Sequence, residues 1–170
     1  MSFRLPSPLP KFTAAAAFAL AVALALPGMA AAQSETAATG LTGTWRVQVS
    51  VINCSTGQTI GPTFSSLLSF ARGGTLTGTT RNSAFQPGQR TSDFGVWSQT
   101  GSNTYSADSE AFLLFTSSAP PIFQAGTQRI VQSITLSGDS FDSVALTRFY
   151  DTAGNIASSG CAHAVATRYE

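Results

Sequence analysis

Gly40-Leu41-Thr42-Gly43-Thr44-Trp45-Arg46-Val47-Gln48-Val49-Ser50-Val51-Ile52 decides how the rest of the chain is read. Two glycines flank a turn. Trp45, Val47, Val49 and Val51 then alternate with Thr44, Arg46, Gln48 and Ser50. A period of two with one apolar face is the mark of a half-buried β-strand, because successive side chains leave a strand on opposite sides. One such face needs a partner, so the question for the remaining sequence is whether it supplies more strands or a helix.

It supplies strands. The expected elements are 42–52, 64–70, 75–80, 92–99, 104–115, 125–136, 140–150 and 156–169. The links between them carry turn residues: Ser-Thr-Gly and Gly-Pro in 53–62, Arg72-Gly73-Gly74, Gln-Pro-Gly-Gln in 81–91, Gly101, Pro120-Pro121 in 117–123, Gly138-Asp139, and Gly154-Asn155. No stretch has helical periodicity with a helical length. The fold class is therefore all-β. Eight strands joined in order by short links suit an antiparallel up-and-down barrel, in which the last strand pairs with the first and no edge is left open. A two-sheet β-sandwich is the alternative.

The first 32 residues stand apart. Arg4 and Lys11 precede an apolar run over 12–26, then Pro27-Gly28, then Ala30-Ala31-Ala32. Basic end, apolar middle and small-residue exit describe a secretory signal peptide over 1–32. The run is shorter than the ~20 residues of a membrane span. Residues 33–40 read as a flexible polar tail and 41–170 as one barrel domain. The full chain has nine basic and eight acidic residues. Without Arg4 and Lys11, seven arginines meet eight acids, for a net charge of about −1. That balance offers no basic patch to nucleic acid or to a membrane surface. The expected location is secreted or periplasmic. An oxidising compartment turns the two cysteines, Cys54 and Cys161, into an expected disulfide. If Cys54 stands opposite Cys161, the end strands set Val51 against Ala164, Val49 against Ala166 and Val47 against Arg168.

Gly43-Thr44-Trp45 at the head of the first strand, with Arg168 late in the last, resembles the lipocalin and wider calycin barrels. Leu41-Thr42-Gly43-Thr44-Trp45 also resembles the opening of the avidin group within them. The resemblance implies that Arg168 stacks on Trp45 and caps the barrel's closed end, a structural role for both. It also implies an interior that holds a small apolar ligand. With only Trp45 and Trp97, the chain is similar to calycin barrels in general rather than to a biotin binder.

Catalytic chemistry needs a nucleophile, an acid/base pair or a metal. His163 is the single histidine and sits on the outward parity of its strand. Asp108 and Glu110 share a face; Asp139 and Asp142 flank a turn. Both pairs read first as solvated carboxylates. No catalytic residue, metal site or cofactor is assigned. The aromatics Phe70, Phe94, Trp97, Tyr105, Phe112, Phe115, Phe141 and Phe149 read as core. In a small barrel the core and the ligand pocket are the same inner face. The candidate ligand-binding residues are Phe70, Trp97, Tyr105 and Phe115 inside, with Arg90 at the mouth. The leading expectation is an exported barrel that binds a small apolar molecule. The alternatives are a protein-binding barrel, such as a periplasmic protease inhibitor acting through the 33–40 tail or the mouth loops, and a calycin-like isomerase or cyclase.

Overall fold

The structure, a computed structural model, describes residues 40–115 and 123–169. The expected signal peptide, the tail up to residue 39 and nearly all of the link 117–123 lie outside the described residues. Eight strands follow one another: β1 Gly43–Ile52, β2 Phe64–Phe70, β3 Thr75–Arg81, β4 Asp93–Gln99, β5 Thr104–Phe115, β6 Phe123–Ser137, β7 Ser140–Tyr150 and β8 Ile156–Arg168. Each pairs antiparallel with its chain neighbours, and β8 closes on β1. The molecule is thus a closed eight-stranded up-and-down barrel, consistent with a calycin-like fold and not a sandwich. Among the described residues there is no helix.

The turn chemistry accounts for the tight links. Gly73 and Gly74 have φ of 93° and 88°, a region L-residues with a Cβ seldom enter. They bring β2 back onto β3 within four residues. At the opposite end, Asn53 opens a turn by accepting the Ser55 and Thr56 amides on its Oδ1, at 2.8 and 3.1 Å.

That turn corrects the expected register. β1 and β8 pair Trp45 with Arg168, Val49 with Ala164 and Ile52 with Cys161. The expected pairing placed Cys54 directly across from Cys161, two residues away from what is seen. Cys54 is not in the strand at all. β1 ends at Ile52, and the Asn53 turn carries Cys54 back over the strand end. From there it bonds Cys161, with the Cα atoms 5.2 Å apart. A slip of two leaves every side chain on its expected face, because the pleat repeats every two residues. Trp45 and Val47 are buried, as are Ala166 opposite Val47 and Ala164 opposite Val49.

The half of the barrel towards Trp45 is solid. Trp45, Phe70, Trp97, Tyr105 and Phe141 meet there, with ring centroids 5.0–6.3 Å apart in tilted and edge-on pairs. Tilted geometries suit rings whose faces are negative and edges positive. Leu41 and Trp45 are fully buried, and the Trp45 indole donates to the Leu41 carbonyl at 2.9 Å. Arg168 seals this end. Its guanidinium lies 4.2 Å over the Trp45 ring. Its N–H groups donate to the carbonyls of Thr42 (2.7 Å) and Gly40 (2.9 Å) and to Asp139 (2.7 Å). One side chain thereby ties the chain's entry segment, the β6–β7 turn and β8 together.

Two aromatics read as core are outside it. Phe94 and Phe112 are 66% and 54% exposed. On β4 the inner parity belongs to Asp93 and Trp97, so Phe94 and Val96 point out. On β5 it belongs to Ala107 and Ala111, so Phe112 points out.

Candidate functional site

Strand β1 runs away from the sealed end, so the links after β1, β3, β5 and β7 share the other rim. Those are the long links. The one after β3 bends inward: Arg90 bridges to Leu113 of β5, and the Thr91 amide donates to the Phe112 carbonyl at 3.1 Å. This docking against β5 aims the Arg90 side chain into the barrel, where it is only 5% exposed. Asp93, the first residue of β4, turns inward three residues later and is 2% exposed.

Arg90 and Asp93 form an ion pair inside the barrel, Nη2 donating to Oδ1. Arg90 Nε donates to the Gln128 side-chain oxygen at 2.5 Å, and Nη1 to the Thr91 carbonyl at 3.2 Å. Gln128 belongs to β6 and reaches Arg90 past β5, where its partner in the ladder is the small Ala111. On the other flank Gly78 of β3 makes room. A Cβ there would stand 3.0 Å from Asp93 Oδ2 and 2.5 Å from a methyl of Leu68. Burial pushes the Asp93 carboxyl above its ordinary value, and Arg90 pulls it back in part.

Next to this pair lies a cavity of about 90 Å³. Val47, Val49, Phe64, Leu68, Ile130 and the alanines of β7 and β8 give it apolar walls. Arg90, Asp93, Ser109, Gln128, Gln132 and Ser143 give it polar points. Phe64, Asn82, Phe85 and Arg90 line both the cavity and a groove on the outer rim, so they form the wall between the interior and solvent. The Ser143 hydroxyl is fully buried in a residue 2% exposed, and it has no hydrogen-bond partner among the described residues. β7 and β4 are three strands apart around a ring of eight, and Ser143 lines the same cavity as Arg90 and Asp93.

Of the candidate residues read from sequence, Arg90 lines this cavity. Phe70, Trp97 and Tyr105 pack in the sealed half, and the Trp97 indole donates to the carbonyls of Ala71 and Thr75, both at 3.1 Å. The Phe115 side chain lies outside the described ones. Asp93, Ser109, Gln128, Gln132 and Ser143 were missed. A signal for them exists in the sequence: all fall on the inner parity of their strands, where polar residues interrupt the apolar alternation.

Two further pairs of ionisable groups lie on the outside. Asp108 takes two bonds from Arg129, at 2.9 and 2.5 Å, which hold its carboxyl below the ordinary range. His163 bonds Asp142 at 2.7 Å with both side chains well exposed. Among the described residues no group of three or more histidines, cysteines or acids could hold a metal ion.

Compared with protein-family models, with curated proteins and with solved structures, the chain matches none. Its class rests on its own geometry: a closed, disulfide-linked, calycin-like barrel, solid at one end and with a partly polar cavity at the other. Such a disulfide is sustained in an oxidising compartment outside the cytoplasm.

Proposed function

We propose that this protein is an exported carrier that holds one small, mainly apolar molecule in the cavity at the Cys54 end. The observation that carries the reading is that one apolar-walled cavity is lined both by a buried ion pair and by Ser143, whose buried hydroxyl has no partner among the described residues. Buried polar groups are nearly always satisfied, and a buried ion pair adds little stability over apolar side chains of the same volume. Polar groups kept at that cost around a cavity fit a ligand that completes them. Long links on one rim and tight turns on the other support the same reading, since function concentrates in loops on a rigid scaffold. The basic, then apolar, then small-residue start of the chain supports export. The test is native mass spectrometry of the protein purified from its own host. A non-covalent adduct of small, defined mass is expected. A bare protein mass under gentle conditions, at several preparations, counts against a carrier.

One observation favours a second reading, a protein-binding barrel. Phe94, Val96 and Phe112 are 66%, 61% and 54% exposed on the outer faces of the adjacent strands β4 and β5, and large apolar side chains left exposed on one sheet face can serve a protein contact. Cross-linked capture of a partner that Phe94→Ser abolishes, with no small-molecule adduct, would place this reading first.

A further inference from the structure

We infer that the cavity takes the uncharged, hydrogen-bonding head of its ligand, an alcohol or a carboxamide, and discriminates against carboxylates and ammonium groups. The inference rests on the carrier reading above and concerns the same site. Arg90 and Asp93 already neutralise each other inside the barrel, so among the described residues the cavity has no unpaired charge to offer. A ligand carboxylate would enter beside the Asp93 carboxylate, and an ammonium beside the Arg90 guanidinium. A buried charge without a partner is strongly disfavoured.

The hydrogen-bonding groups point the same way. Ser143 can give one bond and accept another, and it has neither. Gln128 turns its oxygen to Arg90, which leaves its amide N–H groups as the end able to meet a ligand. Asp93 offers carboxylate oxygen. A head with both a donor and an acceptor satisfies such a set, and a hydroxyl or a carboxamide has both. Size sets the remaining limit. About 90 Å³ is smaller than the roughly 150 Å³ of an apolar cavity known to hold benzene. The head is therefore a few non-hydrogen atoms, and a longer body must pass between Phe64 and Phe85 towards the rim groove.

Four probes with one four-carbon chain separate the possibilities: butan-1-ol, butanamide, butanoate and butylammonium. Each is titrated at pH 7 into protein stripped of ligand by refolding from denaturant and followed by saturation-transfer NMR. The alcohol and the amide should bind at least tenfold more tightly than either ion. Ser143→Ala should weaken the neutral probes at least fivefold and leave the ions unchanged. Equal or tighter binding of butanoate or butylammonium overturns the assignment of the head and leaves the carrier reading standing. Binding by none of the four also overturns the assignment, and the native mass spectrum then decides separately whether the carrier reading falls with it.

Discussion

Replacing Ser143 by alanine should make the ligand-free protein more stable, although Ser143 is among the most deeply buried side chains of the barrel. The substitution keeps Cβ and removes only the hydroxyl. That hydroxyl has no partner, so the folded state loses a desolvation penalty of about 1–3 kcal/mol. The one-atom gap it leaves forfeits a few tenths of a kcal/mol of contact. The net gain is about 1–2 kcal/mol. For a domain of this size that corresponds to a rise in Tm of roughly 3–8 °C. The assay is calorimetry of wild type and Ser143→Ala after ligand has been stripped by refolding from denaturant. Stabilisation by removal of a buried polar group is the behaviour of a residue kept for binding rather than for folding. A fall in Tm would refute the reasoning, because it would mean that the hydroxyl is satisfied in the free protein.

Trp45→Ala should cost about 3–5 kcal/mol, since it deletes a fully buried indole from the sealed end. Arg168→Ala should cost about 2–3 kcal/mol through the lost stacking and charge-assisted bonds. Denaturant melts of the double mutant should show less than the sum; simple additivity contradicts the contact. Reducing Cys54–Cys161, whose partners lie 107 residues apart, should lower stability by about 4–5 kcal/mol on the chain-entropy account, measured as the shift in urea midpoint with and without reductant. Asp93 gives a pH signature. Its folded pKa is raised above the ordinary 3.8, so between 3.8 and that higher value the folded state binds more protons than the unfolded one. Its contribution to stability therefore falls as pH rises through that window and is constant above it. The stability difference between wild type and Asp93→Asn, followed by chemical melts from pH 3 to 8, should decline across the window and then level off. A difference that grows with pH would contradict burial as the dominant influence on Asp93.

The barrel was legible because its strands are. Val47 and Val49 alternate cleanly with Arg46 and Gln48, and the glycine turns at Gly73, Gly101 and Gly138 space the strands to within a residue or two of those observed. The disulfide followed from cysteine number and compartment. Register was harder. A cross-strand pairing of the two cysteines implies a register two residues away from the observed one, because Asn53 ends the strand early and lets Cys54 reach Cys161 from a turn. The site was the least legible part. On β6 the apolar rhythm of Ile130, Ile134 and Leu136 shows the inner face, and Gln128 and Gln132 lie on that same face. A period-two reading treats them as interruptions, although a polar residue on an inner parity is where a lined cavity announces itself. On β4 the sequence Asp-Phe-Gly-Val-Trp has apolar residues on both parities. Only closure of the barrel decides that Asp93 and Trp97 go in and that Phe94 and Val96 go out. The Arg90–Asp93 pair depends on a loop docking against β5, and no local pattern encodes that.

The most direct test of the carrier account is a high-resolution crystal structure of the protein purified from its own host without denaturation. The account predicts continuous density for a small organic molecule in the cavity, within hydrogen-bonding distance of the Ser143 hydroxyl and of Gln128 or Asp93, with its body directed between Phe64 and Phe85. A cavity occupied only by ordered water that bonds Ser143, or collapsed by inward movement of Phe64 or Phe85, would contradict it.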